Sequence, residues 1–366
     1  MTKIKDVINH LEYIAPKAYQ KSYDNSGLLV GDASEEVTGI IISLDCIEAV
    51  VDEAIENGCN LIVSHHPIIF KGLKQLTGAN YIERTVLKAI KNGISLYAIH
   101  TNLDSVMNGV NFKISEKIGL NKLKMLGSKE GSLSKIVTFV PKDHLDGVLE
   151  SMSEVGAGKI SNYDFCSFQT EGDGTFRPNE RSKPFIGNAG EIEKTSEVKL
   201  EMVFPSYRQS AIINALRASH PYEEVAFDII KLENTNPDVG IGMVGELDKP
   251  MKTQDFLKHL KESMDLNVIK YTNLQKDIIK RVAVCGGSGS FLLQKARAAE
   301  ADAFVSSDFK YHEFFDGENE ILIADIGHYE SEVFTKDLLQ QHLSEKFPNI
   351  ALRLTGVDTN PVNYFK

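Results

Sequence analysis

The chain has 366 residues, of which 42% are hydrophobic and 25% charged, values typical of a globular protein with roughly two to three domains. Its 51 acidic and 40 basic side chains give a formal net charge of −11, which disfavours unspecific binding to nucleic acid or to anionic membranes. No apolar run approaches the roughly 18 residues of a membrane-spanning helix, so we expect no membrane span.

The first third of the chain alternates between apolar strands and helices. Helices that join apolar strands are typical of a mostly parallel sheet covered on both faces. The predicted strands are residues 39–44, 60–64 and 94–99, and the predicted helices are residues 47–57 and 82–92.

The pattern changes after residue 130. The order of elements becomes strand, helix, strand, strand, helix, strand, which matches the ferredoxin-like split unit. Asp143 is the expected N-cap of the first helix, a polar and glycine-rich stretch fills residues 170–194, and residues 234–238 read as a linker. The predicted strands are residues 135–141, 159–169, 197–204 and 224–232, and the predicted helices are residues 143–155 and 206–219.

An internal repeat links the two ends of the chain. The strands predicted at residues 281–285, 301–307 and 320–327 repeat the pattern of residues 39–44, 59–64 and 93–99. We therefore predict an α/β fold, a duplicated three-layer α/β sandwich formed by residues 1–130 and 235–366. An inserted ferredoxin-like (βαββαβ) domain interrupts it at residues 131–234.

The apolar strand that ends at Ser64 is followed by two adjacent histidines, His65 and His66. Successive strand residues point to opposite faces, so neighbouring imidazoles suit one metal ion poorly. Where the chain turns at the end of the strand, they can instead reach two different ions. Surface or capping residues are the alternative interpretation of such a pair.

The repeat places further metal-binding side chains at matching strand ends. The first copy ends in His100 and, four residues on, Asp104; the second copy ends in His328 and Glu332. Ligands collect at the carboxyl ends of the strands of parallel α/β sheets. Three imidazoles and two carboxylates suit two divalent ions, zinc first, with iron or manganese as alternatives. The predicted metal ligands are His65, His66, Asp104, His328 and Glu332.

A shared carboxylate brings two ions within about 3.5–4 Å of each other, and we expect Glu332 to be that bridge. The adjacent histidines His65 and His66 then bind different ions. His100 is the repeat equivalent of His328. It could be a sixth ligand, a partner of the ligands or an acid–base group, and a buried histidine with its hydrogen bonds satisfied fits the pattern equally well.

A glycine-rich turn follows the strand at residues 281–285 and precedes a predicted helix at residues 291–299. Backbone N–H groups in such a turn, together with the helix N-terminus, could hold a phosphate. A tight turn explains the same composition without a ligand. The predicted substrate contacts are Gly286, Gly287, Ser288 and Gly289.

Two other polar groups lie near the predicted strand ends. Asp24 and Asn25 could contact water at the metals, although Asx side chains commonly bond the backbone of their own turn. Asp308 follows the strand of the second repeat copy that corresponds to the strand before His65 and His66, and it occupies the equivalent position. His312 and Glu313 lie on the next turn. These three could relay protons or contact substrate, and a solvated helix start explains them as well.

These motifs together resemble the GTP cyclohydrolase 1 type 2 homologues, also called Ngg-interacting-factor-three-like dinuclear-metal proteins. The matching stretches lie in both halves of the chain and follow one another in the same order as in the family. One position departs from the family's pattern: Tyr23 stands where the family often has tryptophan. The family's metal ligands fall on the same five positions as the predicted ligands. The matching stretches are residues 24–31, 64–67, 100–104, 285–290 and 327–332.

Residues 131–234 resemble the P-II-like, CutA-like module of longer family members. Its best signature is the segment His220-Pro221-Tyr222-Glu223. A helix C-cap followed by proline explains this segment without a function.

The resemblance implies a metal-dependent hydrolase that acts on a nucleotide, with opening of the guanine ring of GTP as the reaction named by the family. It also implies a toroidal homohexamer whose metal pairs face an internal cavity. The alternative is a non-catalytic hexameric scaffold or regulatory protein whose insert senses a small ligand. We expect no nucleic-acid partner.

The location expected from the sequence is the cytoplasm. Residues 1–7 contain lysines and an aspartate, and no apolar segment of a signal peptide follows. The cysteines are widely spaced without a Cys-x-x-Cys motif, which excludes a structural zinc ribbon and indicates reduced thiols. They are Cys46, Cys59, Cys166 and Cys285.

Overall fold

The structure, a computed structural model, describes residues 1–273 and 277–365. It divides into a larger unit, Met1–Gly127 with Val239–Lys366, and a smaller unit, Ser128–Asp238. The smaller unit begins at residue 128 where 131 was predicted, and it ends at residue 238 where 234 was predicted. Among the described residues, no helix is long and apolar enough to cross a membrane.

The first segment of the larger unit alternates strands and helices, and the strands and helices predicted between residues 39 and 99 are confirmed. Sequence explains the helix ends: the Asn80 side chain accepts a hydrogen bond from the backbone N–H of Glu83, and Gly119 ends a helix in the left-handed conformation. The helices are α1 (Ile4–Ile14), α2 (Glu48–Glu56), α3 (Tyr81–Lys91), α4 (Thr101–Asp104) and α5 (Val110–Ile118), and the strands are β1 (Gly27–Val30), β2 (Ile40–Ser43), β3 (Leu61–Ser64), β4 (Ser95–Ala98) and β5 (Leu120–Lys129).

The smaller unit is a four-stranded sheet with two helices. Its strand order is β7-β8-β6-β9, and every neighbouring pair is antiparallel. One face of the sheet packs Ile136, Val140 and Leu200 against the helices, so the alternate residues of β6 and β8 point to the opposite face. The elements are β6 (Leu133–Pro141), α6 (Leu145–Glu154), β7 (Phe168–Phe176), β8 (Glu193–Pro205), α7 (Gln209–Ser219) and β9 (Phe227–Lys231).

Two predictions in this unit are wrong. The strand expected at residues 159–169 is β7, Phe168–Phe176, which lies largely in the stretch predicted to be irregular. It is an edge strand with most side chains in solvent, so it lacks the apolar alternation that marks a half-buried strand. Asp143 is not an N-cap, because it lies inside a short 3-10 turn and α6 begins only at Leu145.

The last segment returns to the larger unit. Strand β10 begins at Asn236, inside the predicted linker, and the predicted helix at residues 291–299 is a 3-10 turn followed by six helical residues. The strands are β10 (Asn236–Met251), β11 (Lys270–Tyr271), β12 (Ile279–Ser288), β13 (Ala303–Ser307), β14 (Leu322–Asp325) and β15 (Leu352–Leu354), and the helices are α8 (Thr253–Ser263), α9 (Leu293–Ala298), α10 (His328–Glu332) and α11 (Thr335–Lys346).

The larger unit contains two sheets that share a pattern. Their strand orders are β1-β4-β3-β2-β15 and β11-β14-β13-β12-β10-β5. In each, three consecutive strands of the chain are parallel, and an antiparallel strand, β1 or β11, lies outside the third of them. The last strand, β15, crosses back to pair with β2 in the first sheet.

Both sheets of the larger unit are covered on both faces, as the apolar runs predicted. Alternate residues of both sheets share one core with α1, α5, α8 and α11. The opposite face of the first sheet, with Ile41, Ile62 and Leu96, packs against α2 and α3. The opposite face of the second sheet, with Ala283 and Phe304, packs against α9. Because both faces of each sheet are buried, the polar side chains that could bind a ligand lie at the strand ends.

Candidate metal centre

All five predicted metal ligands meet where strands of the larger unit end. His65 and His66 directly follow β3, and Asp104 is the last residue of α4, the short helix after β4. His328 and Glu332 begin and end α10, the short helix after β14. Their ligand atoms form two groups that could each hold a metal ion, with Glu332 a member of both.

The first group, which we call the buried half, contains His65, Asp104 and Glu332. Nε2 of His65 lies 3.6 Å from Oδ1 of Asp104 and 3.9 Å from Oε1 of Glu332. The His65 side chain is 0% exposed, that of Asp104 13% and that of Glu332 4%. This half is closed to bulk solvent on the histidine side.

The second group, the open half, contains His66, His328 and Glu332. Oε2 of Glu332 lies 2.9 Å from Nε2 of His66 and 3.2 Å from Nε2 of His328. The His66 side chain is 20% exposed and that of His328 is 42% exposed. The two oxygens of one carboxylate therefore face two different sets of histidines.

The residues of this cluster fit a pair of divalent ions. Nε2 of His65 and Oδ1 of Asp104 are buried and have no hydrogen-bond partner among the described residues. An unpaired buried polar atom costs about 1–3 kcal/mol, so native structures normally supply a partner. A cation between these two atoms would serve both. Imidazole and carboxylate donors together suit zinc, iron or manganese.

Each of the three ligand histidines is oriented by a hydrogen bond from its other ring nitrogen, Nδ1. Such a partner fixes the ring and its tautomer, so that Nε2 is the atom offered to a metal. The acceptors of the Nδ1 hydrogen bonds are the Ile99 carbonyl oxygen for His65 at 2.8 Å, Oδ1 of Asp45 for His66 at 2.8 Å and Oδ2 of Asp308 for His328 at 2.6 Å.

The electrostatics differ between the two halves. Burial lowers the pKa of His65 to about 3, and burial together with the charge of Glu332 raises the pKa of Asp104 to about 7. Burial also opposes the charged form of His66, yet hydrogen bonds to Asp45 and Glu332 raise its pKa to about 10. For His328, hydrogen bonds outweigh burial and raise the pKa to about 9. The carboxylates around the open half thus favour positive charge there, whereas burial disfavours it on His65.

His100 joins the cluster from a different direction. Its ring lies 5.3 Å from the rings of both His65 and His66, and its Nδ1 donates to Oδ1 of Asp24 at 2.7 Å. Burial opposes ionisation of Asp24, but hydrogen bonds from His100 and Thr101 hold its pKa below the usual range. Together with His65 and His66, His100 forms a third group of ligand atoms that could hold a metal ion, so its role as a sixth ligand stays a prediction.

Asp24 bonds backbone groups, which is one of the two interpretations made from sequence. Its Oδ1 accepts from the backbone N–H of the next residue, Asn25, at 2.7 Å, and it also accepts from Nδ1 of His100. Asn25 itself donates to the carbonyl oxygen of Ile69 at 2.6 Å. Glu313 accepts from the backbone N–H of Lys310, as a helix-start residue does.

The glycine-rich turn does not offer its first two N–H groups to a ligand. Those of Gly286 and Gly287 donate to the side chains of Asn111 and Ser331, both at 2.9 Å, in the segment where the register of β12 against β13 shifts. Gly287 has a φ of 60°, and a Cβ there would lie 2.5 Å from Oε1 of Glu332. This glycine therefore makes room for the shared carboxylate. Phosphate binding by Ser288 and Gly289 stays a prediction.

A cavity of about 610 Å³ lies beside the open half. His66 and His328 line it together with Asp45 and Asp308, whereas His65 is absent from the lining that the structure describes. The wall of this cavity also contains a basic, an amide and two aromatic side chains, those of Lys270, Asn360, Tyr329 and Tyr364.

Asp45 and the Ile99 carbonyl group were not among the groups predicted from the sequence. Asp45 lies two residues beyond β2, at the same edge of the sheet as His65, so the strand-end criterion could have found it. Asp308 was named, but its hydrogen bond to His328 depends on how the chain turns after β13.

The fold and the cluster together define an α/β protein with a candidate two-metal centre. A family model described as Duf34/NIF3 (NGG1p interacting factor 3) matches residues 2–361. The chain therefore belongs to the NIF3 family, and the resemblance found in the sequence is confirmed.

Relatives of known name cover nearly the whole chain. The GTP cyclohydrolase 1 type 2 homolog of Bacillus subtilis (strain 168) is 36% identical over 369 residues, which cover 98% of each chain. A protein of the same name from Staphylococcus epidermidis is 35% identical over 366 residues, covering 99% of this chain and 100% of its own.

Solved structures extend the comparison to the fold. The crystal structure of a Bacillus cereus protein related to NIF3 is 34% identical and superposes with a TM-score of 0.87, covering 100% of this chain and 99% of its own. A Staphylococcus aureus protein is 33% identical with a TM-score of 0.79 and the same coverage.

Proposed function

We propose that the chain is a metal-dependent hydrolase with a dinuclear centre, occupied by zinc or alternatively by iron or manganese. His65 and Asp104 would hold one ion, His66 and His328 the other, and Glu332 would bridge them. The observation that carries the proposal is the placement of Glu332, a buried carboxylate whose two oxygens face two separate groups of ligand atoms.

Two ions held in this way would supply Lewis acidity toward a substrate oxygen and toward water. Of the chain's own residues, His100 is placed to move a proton. Its Nδ1–H is committed to Asp24, so the lone pair of Nε2 is left to accept a proton beside His65 and His66. Asp24 keeps the imidazole in that tautomer and stabilises it once it is charged.

We propose a nucleotide as the substrate class. The names of the relatives, GTP cyclohydrolase 1 type 2 homolog, motivate this choice. The cavity beside the open half has the size of a small-molecule site, which commonly measures about 300–1,000 Å³. Tyr329 and Tyr364 offer rings to a base, and Lys270 and Asn360 offer polar groups to the sugar and phosphates.

The finer architecture and the assembly are also proposals. The shared order of three parallel strands in the two sheets supports a duplicated sandwich, and the strand order β7-β8-β6-β9 supports a ferredoxin-like insert of the P-II-like type. The family resemblance is the reason to propose a toroidal homohexamer in the cytoplasm. Light scattering of the purified chain would measure its mass.

Metal analysis followed by a nucleotide screen tests the function. The purified protein would be analysed for bound metal and reconstituted with zinc, iron(II) or manganese. GTP and other nucleotides would then be incubated with it, and products identified by mass spectrometry. We expect turnover by the metal-loaded protein, none by Glu332→Gln, and unchanged turnover by Glu116→Gln, a surface carboxylate paired with Lys113.

A metal-loaded protein that turns over no nucleotide would contradict the hydrolase proposal and favour the non-catalytic scaffold. Turnover that survives complete loss of both ions would contradict the role of the metals.

A further inference from the structure

A second cavity, of about 640 Å³, lies wholly within the smaller unit. Phe139 of β6 and Glu197 and Lys199 of β8 line it, on the sheet face opposite α6 and α7. No residue of this cavity belongs to the metal cluster. Its volume lies in the range of small-molecule sites, about 300–1,000 Å³.

Aromatic rings form much of the wall. Phe139, Phe176, Phe185 and Tyr222 all line the cavity. The ring centroid of Tyr222 lies 6.0 Å from that of Phe176 and 6.2 Å from that of Phe185. Clusters of ring faces at this spacing attract cations through the negative charge density of the rings.

A buried carboxylate lies among these rings. Glu197 is only 8% exposed, and its Oε1 accepts a hydrogen bond from the Tyr222 hydroxyl at 2.8 Å. A Cβ at residue 174 would overlap with Oε2 of Glu197, so Gly174 gives the carboxylate its place against β7. Because a buried charge is costly without an opposite charge, a neutral hydroxyl partner leaves this site favourable to a cation.

The segment His220-Pro221-Tyr222-Glu223 builds this wall. His220 is the C-cap of α7, as the sequence indicated, but its side chain does more than end the helix. Nε2 of His220 donates to the Phe139 carbonyl oxygen at 3.0 Å, and Nδ1 accepts from the backbone N–H of Tyr222 at 3.1 Å. The imidazole thereby fixes the Tyr222 loop to β6 and brings its hydroxyl to Glu197.

The remaining charges disfavour an anion. Lys199 pairs with Glu201 at 3.0 Å, and Glu171 and Asp173 pair with lysines outside the cavity. In this unit, all of which the structure describes, the lining has five acidic residues against two basic ones, Arg177 and Lys199. The acidic residues are Glu171, Asp173, Glu197, Glu223 and Glu224.

We propose that this cavity binds a small organic cation whose ammonium head lies against the aromatic rings beside Glu197, with the rest of the molecule in the remaining volume. The site is independent of the metal cluster and of the function proposed for it. The rings and Glu197 recognise the charge of the ligand, whereas His220 positions Tyr222.

Choline and its uncharged carbon isostere, 3,3-dimethylbutan-1-ol, test the proposal. The two probes have the same shape and differ in charge. Binding to the purified protein, with all 366 residues, would be followed by ligand-observed NMR. We expect a Kd for choline on the order of 1 mM, about tenfold tighter than that of the alcohol. Equal affinities, or no binding of choline, would overturn the proposal.

Variants locate the binding site. Glu197→Gln keeps an acceptor for the Tyr222 hydroxyl and is expected to remove the preference for choline. Phe185→Ala, at a half-exposed ring whose loss leaves the core intact, is expected to weaken choline binding severalfold. The matched control is Asp228→Asn, an exposed carboxylate on the same face of the sheet but outside the cavity, with choline binding unchanged. A preference for choline that survives Glu197→Gln, or that disappears equally in Asp228→Asn, would contradict the assignment.

Discussion

The two halves of the candidate metal cluster share Glu332 but differ in solvent exposure and in the hydrogen bonds of their other residues. In the buried half, the facing atoms of His65 and Asp104 are shut off from water and lack hydrogen-bond partners among the residues that the structure describes. In the open half, His66 and His328 are bonded to Glu332 and line a cavity large enough for a ligand. Adjacent residues of one strand end, His65 and His66, therefore lie in opposite environments.

This difference indicates that ions in the two halves would have different roles. A metal ion in the buried half would be enclosed by protein, and its main effect would be to hold the two sheets' strand ends and Glu332 in place. An ion in the open half would face the cavity and could exchange a ligand position with substrate. The acceptors of the Nδ1 hydrogen bonds differ in the same way. A backbone carbonyl group accepts from His65, whereas carboxylates accept from His66 and His328.

The largest expected effect comes from the residue that the halves share. Glu332→Gln removes the one carboxylate that both groups share, at nearly constant shape, so we expect loss of both ions, measured by elemental analysis of the purified variant. Glu330→Gln is the matched control, since Glu330 lies on the same short helix but bonds Asn360 and Tyr364. A Glu332 variant that retains both ions would contradict the bridge.

A large effect on turnover without loss of metal is expected at His100. His100→Gln removes the proton acceptor, which should lower kcat by about 10²–10⁴-fold. Metal content, measured in the same sample, should not change. If the ions are lost instead, His100 is a sixth ligand. His144→Gln, which changes a histidine of the smaller unit outside the cluster, serves as the control.

A smaller effect is expected when the partners of the open half are changed. Asp45→Asn and Asp308→Asn remove the carboxylates that orient His66 and His328, and such changes typically weaken metal binding by about 10–100-fold. We expect one of the two ions to bind more weakly in a competition titration with a chelator, and the other to be unaffected. Asp52→Asn, which breaks only a surface ion pair with Lys88, should leave both affinities unchanged.

The difference in solvent exposure between the buried half and the open half predicts two rates of metal release. With a chelator in excess, the open half should release its ion at least about tenfold faster than the buried half, because the side chains of His66 and His328 are exposed whereas that of His65 is not. His328→Gln should remove the fast phase and Asp104→Asn the slow one. A single phase in the wild type, or the opposite assignment in the variants, would contradict the difference between the halves.

The five candidate ligands, which the structure brings together, could be picked out from the sequence because they lie next to strong signals. His65 and His66 follow a fully buried, mostly apolar strand, and the repeat puts Asp104 and Glu332 at matching strand ends. The partners could not be predicted as well, since a hydrogen bond such as that from His65 to the Ile99 carbonyl oxygen depends on the path of two loops. Sequence spacing does not determine that path.

The elements that were missed have weak or non-local signals. Strand β7 is polar on both sides and is defined only by its pairing with β8, from Phe168 to Phe176. Strand β15 has three residues and joins the sheet formed by the opposite end of the chain. Composition also does not reveal that Asn111 and Ser331 accept the N–H groups of Gly286 and Gly287.

Anomalous X-ray diffraction from crystals of the zinc-loaded protein, recorded at the zinc absorption edge, tests the central claim most directly. We predict two anomalous peaks on opposite sides of the Glu332 carboxylate, about 3.5–4 Å apart, one beside His65 and Asp104 and the other beside His66 and His328. A single peak, or two peaks that do not share Glu332, would contradict the dinuclear centre.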